Sequence, residues 1–349
     1  MMKLDSIIRR YQTAFKKKYQ DKLLPSQVAA LNAMNRCRTP DSGELYVQCT
    51  RCDEAHWKPL SCGHRSCPKC QNHEASQWLD RQQKKLLPVD YFMVTFTLPS
   101  QLRSLVWYHQ KCLYSLFFTC VSSTLRDFGM KPDKSGVNIG MTAVLHTQSR
   151  KLDYHPHIHV IVPGGGVNKN RKQWRKFEGK YLFNAFALAK VFRARFLAAL
   201  AEEGFSVPEN TPKKWVVDCT HVGKGLPALQ YLSKYLYRGV ISEKSILSDR
   251  NGRVTFKYIE SKTGDIQFRT LDGEDFLWLV LQHVLPKGFR RVRDYGFLHP
   301  NARKLLSLVQ LILHVFIKEI VARARPVFKC PKCKSPMEIL RFRRPGGSG

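Results

Sequence analysis

Three sets of residues have the types and spacing to do chemistry. Residues 154–166 read Tyr-His-Pro-His-Ile-His-Val-Ile-Val-Pro-Gly-Gly-Gly, so His155, His157 and His159 alternate with Pro156 and Ile158. Side chains alternate faces along a strand, so three imidazoles at period two project from one side and the apolar residues from the other. A lone strand histidine is ordinarily a hydrogen-bonded structural residue, whereas several converging from one strand make a metal platform. The second set is cysteine. Cys49-Thr-Arg-Cys52 and Cys67-Pro-Lys-Cys70 are CxxC knuckles 14 residues apart, close to the spacing at which four thiolates surround zinc tetrahedrally. Cys37, Cys62 and His64 lie in or beside this block and either complete a second zinc site or are spare. Cys330-Pro-Lys-Cys333 shows half a site, with its partners in the N-terminal block or in another subunit. The third set is Tyr231 and Tyr235, four apart on a predicted helix and therefore stacked on one face. Leu229, Leu232 and Leu236 cluster on a different face; Arg238 falls near the tyrosines and Lys234 a little further round. A phenol is a poor nucleophile at neutral pH, and a metal that polarises a phosphodiester supplies what it lacks.

Charge names the substrate class. The 349 residues carry 58 Lys and Arg against 27 Asp and Glu, a formal net charge of +31. Solubility alone needs far less, so the excess points to a polyanionic partner, nucleic acid ahead of a membrane surface because no basic amphipathic anchor is present. Lys3, Asp5, Arg9 and Arg10 interrupt the N-terminus, unlike a secretion signal. Apolar runs such as 308–317 are too short to span a bilayer. A soluble, cytoplasmic protein is expected, and there the 11 cysteines argue for metal rather than disulfides. The closing Gly346-Gly347-Ser348-Gly349 reads as a flexible tail.

The elements that must position these residues follow from pattern. A helix is expected over 26–36 after Pro25, a buried strand over 91–98 ending at Pro99, a long helix over 101–127 and a strand over 140–147. The polar link 148–153 joins that strand to the histidine strand as a hairpin. A second long helix over 182–203 stops at Gly204, and residues 215–221 make a fourth strand. Strand, helix, strand, strand, helix, strand is the ferredoxin-like order, an antiparallel sheet with helices on one face and the histidines on a central strand. The stretch 168–180 is either a solvated basic loop or a platform in which Trp174 and Phe177 stack bases while cations such as Arg171 and Arg175 hold phosphates. Segments 254–258 and 266–271 read as a hairpin, followed by a helix over 272–285. Three domains are expected: 1–85, helical and zinc-binding; 86–245, the core with the tyrosine helix; and 246–345, with hairpin, helices and the last CxxC.

Taken together these motifs resemble the two-tyrosine rolling-circle transposases of bacterial insertion sequences, members of the HUH endonuclease superfamily. The resemblance covers most of residues 26–335 and includes Cys37-Arg-Thr39, both knuckles, Tyr91–Pro99, His155–His159 with Val162–Gly166, Tyr231-Leu-Ser-Lys-Tyr235 and His283–Leu298. It implies an α+β fold, a ferredoxin-like or RRM-like HUH core plus an N-terminal zinc-binding domain. It implies Mg²⁺ or Mn²⁺ on His157 and His159, with a third ligand open: His146 first, then Gln148 or His155. It further implies structural Zn²⁺, nucleophiles Tyr231 and Tyr235, and nicking and rejoining of single-stranded element ends, including hairpins. Such a protein would work at the bacterial nucleoid, its oligomeric state open. Two departures stand out: Ser66 and Met93 occupy positions where relatives often carry histidine. The other readings are a rolling-circle replication initiator with the same core chemistry, or a non-catalytic zinc-containing DNA-binding protein.

Overall fold

In the computed structural model, the chain divides into two compact units. The structure describes residues 3–344 apart from 71, 131–135, 169, 171, 178, 180, 181, 228, 231–239, 261, 262 and 317–326. One unit comprises residues 1–74, 237–284 and 319–349; the other comprises 75–236 and 285–318. Residues 246–345, expected as one C-terminal domain, are thus shared between the two units.

In the first unit, α1 (Leu4–Tyr19) is amphipathic and buries Leu4, Ile7, Ile8, Tyr11 and Phe15. It packs against a later helix, Gly273–Leu281. Tyr19 stacks on Trp278 with centroids 4.7 Å apart, and a Cβ on Gly273 would meet the Tyr11 ring at 2.4 Å, so only glycine lets the two backbones approach this closely. The helix α2 (Pro25–Arg36) starts with proline at its first turn, where a missing N–H costs nothing, and delivers Cys37 at its end. The strands β1 (Glu44–Cys49) and β2 (Ala55–Pro59) pair antiparallel. On the other edge of β1, the C-terminal strand Met337–Arg343 pairs antiparallel from Cys49↔Met337 to Glu44↔Arg343. The predicted hairpin is present as Arg253–Ile259 with Ile266–Asp272, extended by Ile246–Arg250 into three strands.

The second unit is a five-stranded antiparallel sheet with two long helices. Its strands are β3 (Asp90–Thr97), β4 (Met141–Gln148), β5 (Tyr154–Pro163), β6 (Val216–Lys224) and β7 (Val292–Tyr295), in spatial order β7-β4-β5-β3-β6. The helices are α3 (Gln110–Met130) and α4 (Ala185–Glu202), the latter capped by the Asn184 side chain, which accepts from the Ala187 N–H. The expected single helix over 101–127 is broken: a short helix, Arg103–Tyr108, ends at His109, whose backbone is non-helical. β7 is an element the sequence patterns did not reveal, four residues long and held on β4 by Thr142, whose hydroxyl donates to Asp294 at 2.6 Å.

Period two explains the burial. Phe92, Val94 and Phe96 from β3, Met141, Ala143 and Leu145 from β4, and Ile158, Val160 and Val162 from β5 all enter one core with α3 and α4. Phe192 of α4 lies at its centre, with ring centroids 5.1 Å from Phe96, 5.5 Å from Phe117 and 5.4 Å from Trp215. Among the described residues no helix is long and apolar enough to cross a membrane.

Phe192→Ala should cost about 3–5 kcal/mol, the usual penalty for emptying an aromatic site in a close-packed core. Phe186→Ala, on the same helix but 89 % exposed, should stay within about 0.5 kcal/mol of the parent. Urea unfolding of the two variants measures both values.

Candidate functional site

The face of the sheet opposite the core carries the histidines. In the register of β3, β4 and β5, Thr95 lies opposite His159, Thr97 opposite His157, and His146 opposite His157. His146, His157 and His159 consequently bring their ligand nitrogens within 4.8 Å of one another. His155, the fourth imidazole of the region, is not in this group: its Nδ1 is 2.7 Å from Nη2 of Arg103.

Two contacts orient the rings. Nδ1 of His157 is 2.7 Å from the carbonyl oxygen of His155; a carbonyl only accepts, so Nδ1 carries the proton and Nε2 keeps its lone pair. Nδ1 of His159 is 3.0 Å from Oγ1 of Thr95, which occupies that nitrogen and leaves Nε2 for a ligand. Burial holds all these imidazoles neutral. It pushes His146 well below the ordinary histidine value, takes His159 down to about 3 with help from nearby His157, and takes His155 to about 4 with help from His157 and Arg103. Neutral imidazoles present lone pairs at neutral pH without first losing a proton. Three neutral nitrogen donors on a rigid sheet fit a divalent transition ion such as Mn²⁺ readily, and Mg²⁺ with water or phosphate oxygens completing its shell.

The cysteines fall into two quartets, and their pairing differs from the expected ribbon. Cys67 and Cys70 join Cys37 and Cys62, while Cys49 and Cys52 join Cys330 and Cys333. The first knuckle lies at the end of β1, where the C-terminal strand pairs; the second knuckle follows β2 and meets the end of α2. Sequence spacing alone therefore put two half-sites together that the fold separates. In the first quartet Sγ of Cys70 is 3.5 Å from that of Cys37 and 3.7 Å from that of Cys62. Hydrogen bonds among these thiols hold Cys70 far below its usual range while raising Cys62 and Cys67, so the cluster shares one thiolate at Cys70. His64 is outside the quartet, its Nδ1 accepting from the Ser66 N–H at 3.2 Å. Each quartet is the donor set of a structural zinc site.

The remaining expected residues divide. Tyr231, Tyr235, Lys234, Arg238 and Arg171 lie outside the described residues. Arg175 is exposed on a two-stranded hairpin, Gly165–Asn168 with Gln173–Lys176. Phe177 is part of the hydrophobic core, and Trp174 is half-buried between Gly165 and Phe297, so these rings serve packing first. Thr95 and Arg103, which hold His159 and His155, were not singled out from sequence. Thr95 meets His159 only through the pairing of β3 with β5.

The buried imidazoles fix a pH dependence. A histidine whose folded value lies below its ordinary 6.5 leaves the unfolded chain binding more protons below that pH. Metal-free protein should hold full stability above pH 6.5 and lose it as pH falls towards 3–4, with His159 alone contributing about 2 kcal/mol of loss by pH 5 at 1.36 kcal/mol per unit. Urea midpoints at pH 7, 6 and 5 check this, and in His159→Gln the slope should be shallower.

Residues 140–305 match the family described as "Putative transposase", and residues 7–98 match "Transposase zinc-binding domain". The chain is 31% identical over 322 residues to "Putative transposase y4qJ" of Sinorhizobium fredii (strain NBRC 101917 / NGR234), covering 85% of this chain and 80% of that one. It is 27% identical over 291 residues to "Transposase for insertion sequence element IS801" of Pseudomonas savastanoi pv. phaseolicola, covering 78% of this chain and 70% of that one. No solved structure matches the chain significantly. With a histidine platform on an antiparallel sheet and two cysteine quartets beside these similarities, the chain belongs to the two-tyrosine rolling-circle insertion-sequence transposases of the HUH endonuclease superfamily, with a zinc-binding N-terminal domain.

Proposed function

We propose that this transposase nicks single-stranded DNA at the ends of its element and transfers the strand through 5′-phosphotyrosine intermediates on Tyr231 and Tyr235. The observation that carries the reading is the convergence of His146, His157 and His159 on the face of the sheet opposite the phenylalanine-rich core, with their ligand nitrogens within 4.8 Å. The strand order β6-β3-β5-β4, the ferredoxin-like arrangement, supports a HUH core. His157, His159 and His146 would hold Mg²⁺ or Mn²⁺, and the chemistry such an ion supplies is Lewis-acid polarisation of the scissile phosphate.

The chain's own residues do the rest. The phenol oxygen of one tyrosine attacks phosphorus, the bond from phosphorus to the 3′-oxygen breaks, and the leaving oxygen gains a proton as the phenol loses one. The product is a 5′-phosphotyrosine and a free 3′-hydroxyl, so the bond energy is kept for rejoining, and a second tyrosine permits a second transfer before the first end is released. Thr95 and the His155 carbonyl orient the two rings of β5. The net charge of +31 favours the DNA backbone. Element-end hairpins are the substrate form proposed, with the zinc-binding domain contributing to their recognition.

Two experiments test this. An element-end oligonucleotide, labelled at either the 5′ or the 3′ end and incubated with Mn²⁺ or Mg²⁺, should give a protein adduct only with the 3′ label. The adduct should be lost in the Tyr231→Phe, Tyr235→Phe double variant and fall by at least about 100-fold in His157→Ala, His159→Ala, the scale expected for removing ligands and the polarising ion. An unchanged adduct in the double tyrosine variant rules out the nucleophile assignment; tight DNA binding with no adduct under either metal supports a non-catalytic DNA-binding protein instead. Separately, Thr95→Val should weaken Mn²⁺ binding about 10–100-fold, with Thr95→Ser close to the parent, as measured by electron paramagnetic resonance titration.

A further inference from the structure

The quartet Cys49, Cys52, Cys330 and Cys333 unites residues 278 or more positions apart. The stretch that matches the transposase zinc-binding domain runs from 7 to 98 and so contains only half of these ligands. We propose that this quartet binds a second zinc ion whose role is to fasten the C-terminal segment to the N-terminal zinc domain, making that domain out of both ends of the chain.

Geometry supports a metal over a disulfide. The Sγ atoms of Cys49 and Cys333 are 3.4 Å apart, and Sγ of Cys52 is 3.7 Å from those of both Cys330 and Cys333. A disulfide brings sulfurs to about 2.05 Å, whereas four thiolates at about 2.3 Å from a tetrahedral zinc stand about 3.8 Å from one another. The two knuckles share one backbone pattern: the Cys49 N–H donates to the Glu54 carbonyl at 2.9 Å, as the Cys330 N–H does to that of Ser335. The Arg51 N–H donates to Cys49 Sγ at 3.3 Å, and the Lys334 N–H to the Cys330 carbonyl at 3.0 Å. Between the knuckles, the Thr50 N–H donates to the Pro336 carbonyl at 3.2 Å, joining the two ends just where Cys49 faces Met337. Four thiolates around one zinc leave a net charge of −2. Arg51 and Lys332 lie within the two knuckles, and Lys332 is ion-paired with Glu54 at 2.8 Å.

The small size of the packed interior explains why an ion is needed. The buried cluster joining β1 to the C-terminal strand consists of Val47, Cys49, Cys330 and Met337, with Leu45, Cys52 and Phe328 packed on it. Two of its four buried residues are ligands. So few apolar groups cannot offset the entropy of ordering a terminal segment, and a metal staple is the usual remedy in small modules. Zinc binding by four thiols releases up to four protons and consumes no oxidant.

The inference rests on the assignment of the quartets to zinc and not on strand transfer, so a chain that nicks no DNA can still bear it out. Full-length protein, purified reduced and dialysed against excess zinc-free buffer, should contain two zinc ions per chain by mass spectrometry of the metal. Cys333 is exposed, so Cys333→Ser removes a ligand with little cost to packing. That variant should hold one zinc and release a fragment beginning near residue 327 on limited proteolysis. Cys70→Ser should also hold one zinc but keep the C-terminal segment protected, and Cys333→His should restore two. Two zinc ions retained in Cys333→Ser, or one in the parent chain that only Cys70→Ser removes, overturns the proposal. So does equal protection of the C-terminal segment in Cys333→Ser and the parent. Should Cys333→Ser fail to fold, X-ray absorption at the zinc edge of the parent decides: four sulfurs per zinc with two ions supports the clamp, and lower sulfur coordination refutes it.

Discussion

The site depends on the antiparallel register that aligns β3, β4 and β5. It sets Thr95 opposite His159 and His146 opposite His157, and it turns all of them away from the face that packs on α3 and α4. A slip of one residue in any of these strands would drive imidazoles into the phenylalanine-rich core and apolar side chains onto the opposite face. The core enforces the register because Ile158, Val160 and Val162 have nowhere else to go. Packing energy on one side of the sheet thereby positions three imidazoles on the other.

Burial also sets the chemistry of those ligands. Imidazoles on an exposed strand would titrate near neutrality, but here desolvation holds them neutral, and the His155 carbonyl and Thr95 hydroxyl occupy the Nδ1 nitrogens of His157 and His159. Orientation and protonation are thus set by the fold itself, the kind of preorganisation a metal platform needs. Arg103 beside His155 contributes to the same effect by keeping that ring engaged elsewhere.

The two units rely on different sources of stability. The sheet unit has a large close-packed interior built around Phe96, Phe117, Phe192, Phe196 and Trp215. The zinc-bearing part of the other unit has little apolar interior where its two ends meet, and its cysteines stand where a larger domain would place core residues.

Much of this was legible in sequence because it is local. Period-two alternation marked the histidine strand, Pro99 and Gly204 marked element ends, and the order of strands and helices pointed to the antiparallel sheet. Charge alone pointed to a nucleic-acid partner. What only the tertiary structure decided is which distant residues meet. Spacing joined Cys49 and Cys52 to Cys67 and Cys70, but the fold gives each knuckle other partners, because β1 carries one to the C-terminal strand and α2 brings Cys37 to the other. The four-residue strand β7 was too short to show a period, and Thr95 became a neighbour of His159 only through pairing. Residue types and local periodicity can announce which groups could bind a metal; the pairing of segments far apart in the chain determines which of them share one.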